Sequence, residues 1–278
     1  YKRQLIYSVT ASLQFGAISL ALGNATHDSL VLSGIGLVAV GLLFKVGAVP
    51  FHQWTPDVYQ GAPTPITAFM GAATKITAFG AFLRVFYVAF GGLRWDWRPM
   101  FWVIAILTML VGSVLAVTQT DIKRMLAFSS VAHAGFILLG VIATSAQGLS
   151  STLLYLFAYG FTTLGSFAIV SLVRDASGEA NHLSAWAGLG KKSPVVASIF
   201  GLFLLALAGI PLTSGFTAKF AIFSAAIDGG ATPLVIVAVV ASAIAAFFYA
   251  RVIVLMFFTE APEDGPSVVV PSWFTKAA

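Results

Sequence analysis

Cysteine is absent from the 278 residues, so the chain forms no disulfide, offers no thiolate nucleophile and builds no cysteine-ligated metal centre. Charge is also scarce. Only 9% of residues are Asp, Glu, Lys or Arg, against about 25% in an ordinary soluble domain. The 15 basic residues are too scattered along the chain to form a nucleic-acid surface, although net charge is +5. Enzyme signatures are missing as well. The four histidines lack metal-ligand spacing, Gly190-Lys191-Lys192-Ser193 lacks the upstream glycine of a phosphate loop, and neither a nucleophile elbow nor a dinucleotide fingerprint is present.

What fills the chain is apolar sequence: 59% hydrophobic residues and a mean hydropathy of +0.94. Most apolar runs are long enough to cross a hydrocarbon core of about 30 Å as helices, and none alternates as an outer-membrane strand does. The chain is therefore an all-α polytopic membrane protein, with about eight transmembrane helices at 5–22, 30–51, 64–90, 99–119, 124–143, 150–173, 194–228 and 233–258. Two of these are expected to be broken, one at 47–50 and one at 210–214, where Gly47, Pro50, Pro211 and their neighbours interrupt the run. Alternate loops then carry unequal charge. Lys2, Arg3, Lys123, Arg124, Arg174, Lys191, Lys192 and Lys276 fall on one side and only Arg94 and Arg98 on the other, which makes the first side cytoplasmic. Trp54, Trp95, Trp97, Trp102 and Trp273 fall near span ends, as an aromatic belt requires. Asn24-Ala25-Thr26 matches a glycosylation sequon but lies against the predicted membrane. With Tyr1 at its start, no signal peptide and a polar end, the chain reads as a portion of a longer protein.

Lys45, Lys75 and Lys219 lie inside apolar runs, and all ten acidic residues fall in loops or at span ends. A charged side chain at the bilayer centre costs at least about 2.5 kcal/mol, so each lysine needs a reason. Lys75 stands 11 residues from Thr64 and 15 from Phe90, about 16 Å or more from either end, too deep to snorkel. Proton transfer is one reading for it and a structural amine held by backbone carbonyls the other. Lys45 is about 9 Å from Phe51, within snorkelling range of the interface. Lys219 comes after the break near Pro211. Lysine, unlike arginine, releases a proton readily when its surroundings change. His133, near the middle of the fifth span, has two ring nitrogens suited to a shuttle, or to a hydrogen bond between helices. Thr74, Thr77, Ser129, Ser130, Thr162, Thr163, Thr213 and Ser214 offer hydroxyls nearby, most of them read as ordinary helix packing. The second and seventh spans cross in opposite directions, and each is interrupted and carries a lysine, as an inverted repeat requires.

Three stretches carry a resemblance: FKVGAVPFHQWTPDVYQGAPTP from Phe44 to Pro65, DIKRMLAFSSVAHAG from Asp121 to Gly135, and AGIPLTSGFTAKF from Ala208 to Phe220. They resemble the subunit N family of respiratory complex I, the proton-pumping NADH:quinone oxidoreductase, over about residues 30–258. The resemblance implies an antiporter-like fold of two inverted repeats in a single membrane domain over 1–278. Residues 1–90 would end the first repeat and residues 99–258 form the second. It implies proton-relay roles for Lys45 and Lys75 in one half-channel, His133 at the centre and Lys219 in the other half-channel. The family's glutamate partner of the lysine at position 45 belongs to a preceding helix that this chain lacks. Phe128 and Phe136 stand where the family commonly has tyrosine, which removes two hydroxyls near His133.

The function thus expected is proton translocation driven by redox chemistry in other subunits, with no cofactor or metal on this chain. NADH and quinone would be bound elsewhere in the complex. Partners would be the other membrane subunits of complex I and the lipid bilayer, with no nucleic acid, in the inner (plasma) membrane of a bacterium rather than an organelle. Two alternatives keep the same residues: a cation/proton antiporter subunit, and a passive membrane scaffold in which the lysines anchor neighbours.

Overall fold

The computed structural model describes residues 2–23, 29–175, 178–260 and 267–268. Trp273, Lys276 and the Asn24-Ala25-Thr26 sequon lie outside them. The helices are α1 (Lys2–Thr10), α2 (Phe15–Gly23), α3 (Ser29–Val46), α4 (Trp54–Gly61), α5 (Thr64–Phe69), α6 (Lys75–Leu83), α7 (Arg94–Val117) and α8 (Ile122–Ala143). After these come α9 (Ala146–Leu172), α10 (Leu189–Lys192), α11 (Pro194–Ala208), α12 (Ser214–Asp228) and α13 (Thr232–Phe258). Wide π turns at Met70–Thr74 and Arg84–Ala89 join α5 and α6 into one continuous segment, Thr64–Ala89.

Six helical segments among the described residues are long and apolar enough to cross a membrane alone, and α1 with α2 makes up to a seventh. The first predicted span is not straight. It bends by 60° between Gln4–Thr10 and Phe15–Gly23. Local hydroxyls compete with the helix there: Thr10 Oγ1 donates to the carbonyls of Ile6 and Ser12, and Gln14 N donates to Ser12 Oγ. The seventh predicted run divides into α11 and α12 of 15 residues each, neither long enough to span by itself. Both expected breaks are present. Helix α3 stops at Val46 before a non-helical stretch at 47–53, and α11 stops at Ala208 before another at 209–213.

Helix α8 is the axis of the bundle. Its apolar window is buried all round, and α4, α7, α9, α12 and α13 pack on it. Beyond Arg124 at its start, α8 meets other helices on every side, so its polar residues face protein. Close approach to α7 depends on Gly135: a Cβ there would sit 2.5 Å from Met109 Cγ and 2.8 Å from Met109 N. Caps fix the starts of three helices, with Asp121, Ser145 and Thr213 side chains accepting from the backbone N–H groups of Arg124, Gly148 and Phe216.

Contacts gather the loops at two ends of the bundle in the same grouping that the loop charges gave. At one end Arg124 pairs with Asp57, Lys123 with Glu179, and Asp121 bridges His182. At the other, Arg98 donates to Gly229 O and Tyr87 to Gly140 O. The basic end also holds a small three-stranded sheet that sequence periodicity did not reveal, β1 (Val173–Asp175) pairing antiparallel with β2 (Gly178–Glu179) and β3 (Ser267–Val268). Trp97 departs from the aromatic belt: it is buried, stacked edgewise on Phe86, and its indole N–H is satisfied by Phe90 O at 2.9 Å. Trp95 is exposed as a belt residue should be.

Filling the α7–α8 contact tests this packing. Gly135→Val should destabilise the protein by about 3 kcal/mol or more, since the clash is with backbone as well as side chain. Gly80→Ala, with open space around it, should be neutral. A thermal-shift measurement on the purified membrane protein reads both.

Candidate functional site

Three of the four predicted residues converge on α8. Lys75 stands directly after the π turn at Met70–Thr74. One extra residue in a turn rotates the rest of the helix by about 100° relative to an unbroken one. Lys75 is only 3% exposed. Its amine donates to the carbonyl and the hydroxyl of Ser130 on α8. The Tyr159 hydroxyl donates to the same Ser130 Oγ at 2.9 Å, and the Tyr159 ring centre lies 5.2 Å from the Lys75 amine. A cation facing an aromatic ring in a dry site gains electrostatic stabilisation without a counter-charge.

His133, one turn further along α8, is held at both nitrogens. Nδ1 lies 2.8 Å from the Tyr155 hydroxyl and Nε2 lies 3.3 Å from the Tyr249 hydroxyl, which also bonds Ser129 Oγ. A neutral imidazole must donate from one nitrogen and accept at the other. The tyrosines, which can do either, fit both tautomers. The Tyr159 ring sits 5.1 Å from the imidazole centre to centre, between it and Lys75.

Lys219 takes its partners from the break. Its amine donates to Leu207 O at 3.1 Å, Ala208 O at 2.8 Å and Ser242 Oγ at 2.9 Å, with the Phe136 ring 4.9 Å away. Residues Leu207 and Ala208 end α11, where carbonyls have no helical donor and the helix dipole favours a cation. Gly209 makes room: its φ is +79°, and a Cβ would lie 2.7 Å from Lys219 Cδ. A cavity of about 10 Å³ bordered by His133, Tyr155, Tyr159, Thr162 and Leu207 lies between the histidine and this break. It is the size of one water molecule.

Lys45 is placed differently. It stands in the last turn of α3 on an exposed face, and its amine has no hydrogen-bond or ion-pair partner among the described residues. The adjoining break is closed without it, by Ala48 N donating to Leu43 O and Val49 N to Thr108 Oγ1, both at 3.0 Å.

The hydroxyls singled out by sequence divide. Thr74, Thr77 and Thr162 bond carbonyls four residues back on their own helices, and Thr213 caps α12, while Ser129 and Ser130 join the network. Sequence reasoning missed Tyr155, Tyr159, Tyr249 and Ser242. The hydroxyls near His133 come from Tyr155 and Tyr249, on α9 and α13. Tyr155 and Tyr159 are four residues apart in an apolar helix, one face of it, and that spacing was the available signal. Among the described residues no three His, Asp or Glu side chains cluster as metal ligands.

A many-helix membrane bundle with two interrupted helices, amines buried in the core and one amine held by the carbonyls of a break has the features that mark transport paths in membrane proteins. Comparison narrows it. Residues 3–245 match the family model described as NADH:quinone oxidoreductase/Mrp antiporter, TM, and the chain belongs to that family. It is 66% identical over 275 residues to NADH-quinone oxidoreductase subunit N of Rhodococcus opacus (strain B4), covering 99% of this chain and 51% of the relative. A chain of respiratory complex I from Thermus thermophilus superposes with a TM-score of 0.83 at 34% identity, over 100% of this chain and 59% of that one. A chain of the Mrp complex from Dietzia sp. DQ12-45-1b gives 0.84 at 30% identity, over 94% and 48%. The chain spans about half the length of the curated relatives it matches.

The Lys219 site makes a sharp demand on Gly209. Gly209→Ala should cost about 1–2 kcal/mol from the left-handed backbone alone and displace the Lys219 stem. Thermal stability should fall, and any transport that depends on Lys219 should fall with it, when both are measured on one reconstituted preparation.

Proposed function

We propose that this chain is part of subunit N of a bacterial NADH:quinone oxidoreductase and that it carries protons through a relay of Lys75, His133 and Lys219. The observation that carries the reading is the order of the groups. Lys75 meets Ser130 and Tyr159, Tyr159 packs on His133, and a water-sized cavity leads from His133 to the break that holds Lys219. High identity to subunit N supports the assignment to complex I over an Mrp-type cation/proton antiporter, whose fold is equally similar.

The chemistry needs no cofactor on this chain. A proton delivered to one nitrogen of His133 is matched by release from the other, because tyrosine hydroxyls face both. Lys219 holds its proton while two carbonyls and a serine hydroxyl surround the amine. A shift of α12 against α11 would remove those oxygens and so change the partners of the amine. Lys45 fits the first half-channel if a carboxylate from outside residues 1–278 approaches its exposed amine. On this reading residues 1–90 close the first inverted repeat and 99–258 form the second. Redox chemistry, NADH and quinone belong to other subunits, the partners are the other membrane subunits, and the location is the bacterial plasma membrane.

The test is made on the intact complex in liposomes. Lys75→Ala should leave assembly unchanged and lower proton pumping coupled to NADH oxidation by about tenfold or more. Lys75→Arg should also fail, since a guanidinium does not give up its proton. Wild-type pumping in either variant refutes the relay, and a requirement for sodium would favour the antiporter.

A further inference from the structure

We propose that Glu179 and Lys123 form the proton-intake pair that feeds Lys75 from the basic face, an inference that rests on the relay reading above. Sequence places every carboxylate in a loop or at a span end, but the fold returns one of them to the bundle. The segment that follows β2 is strapped over the start of α8, with Ile122 N donating to Asn181 O at 2.8 Å and Leu183 N to Thr120 O at 2.7 Å. Glu179 Oε2 thereby accepts from Thr64 Oγ1 at 2.6 Å and lies 3.4 Å from Lys123 Nζ, which also donates to Ala62 O at 2.9 Å.

The pair is asymmetric. The Lys123 side chain is 4% exposed and that of Glu179 is 23% exposed, so the carboxylate reaches water and the amine does not. The neighbouring pair, Arg124–Asp57, is open to solvent on both sides, at 32% and 70%, as a surface contact of little energetic weight should be. Both elements joined by Glu179 lead to Lys75. Thr64 begins the helical segment that carries it, and Lys123 is seven residues before Ser130. Seven residues are two turns, about 10.5 Å along one face of α8. Two buried hydroxyl residues stand on the elements involved: Thr67, whose hydroxyl donates to Tyr59 O at 3.1 Å, and Tyr59 itself.

The step is balanced. One proton leaves inner-face water and forms an O–H bond on the Glu179 carboxylate. Lys123 then keeps its charge with only a carbonyl to offset it, and this unpaired charge repels protons away from the mouth. Glu179 then gives its proton up toward Ser130. The Lys75 amine, neutral after its own proton has moved on, forms the new N–H bond, and Glu179 becomes a carboxylate again. The charged or titratable groups around it are Lys123 on α8, Arg174 across the β1–β2 ladder, the Arg124–Asp57 pair, and Asp121 with His182.

The experiment uses the full-length subunit in the intact complex, reconstituted in liposomes. Glu179→Gln keeps the shape and the oxygen that Thr64 bonds but cannot take up a proton, whereas Glu179→Asp keeps the carboxyl group. Glu179→Gln should slow coupled pumping by about tenfold, and the deficit should widen as the pH on the inner face rises and protons become scarce. Glu179→Asp should retain most of the activity. Wild-type pumping by Glu179→Gln overturns the proposal, as do equal losses in both variants at every pH, or a failure of both to assemble, which would mark a structural strap. Lys75→Ala in the same preparation separates the two levels. If it is inactive while Glu179→Gln is normal, only the intake pair falls; if it pumps normally, the relay falls and the pair with it.

Discussion

Everything in this fold depends on the hydrocarbon's inability to hydrogen-bond. A helix satisfies its own backbone, so helices are cheap in a bilayer and each interruption must find partners inside the protein. Both breaks show how this is met. At the first, Thr108 on α7 accepts the N–H of Val49. At the second, the carbonyls freed at Leu207 and Ala208 are taken by the amine of Lys219. The lysine and the break therefore satisfy each other. Neither makes sense alone at that depth.

The same constraint explains why the polar groups are strung along α8. A helix enclosed on every side by other helices can carry Ser129, Ser130 and His133 without exposing them to lipid. Partners come from the surrounding helices: Lys75 from the Thr64–Ala89 segment, Tyr155 and Tyr159 from α9, and Tyr249 from α13. Each contact crosses a helix–helix interface, so relative motion of two helices changes the hydrogen bonding of a titratable group. These contacts come from helix packing. Among the described residues carboxylates stay at the two ends of the bundle, which leaves carbonyls, hydroxyls and aromatic faces as the groups that stabilise charge inside.

The sequence by itself determined the class, the breaks and which amines fall inside apolar runs. Apolar runs, Gly and Pro interruptions and loop charge are local properties, and a bilayer converts them directly into spans, breaks and orientation. Lys75, His133 and Lys219 were legible because polar groups at that depth are rare. Tertiary structure alone decided who meets whom. The tyrosines around His133 lie 22 and 116 positions away along the chain. Ser130 is 55 positions from Lys75. Glu179, an ordinary loop acid by sequence, reaches Thr64 across 115 positions because a short sheet folds back over α8. Lys45, already within snorkelling range of the interface by sequence, ends on an outer face. Hydropathy records how deep a residue sits, but which way its helix is turned is fixed by packing against neighbours, and that information is spread over the whole chain.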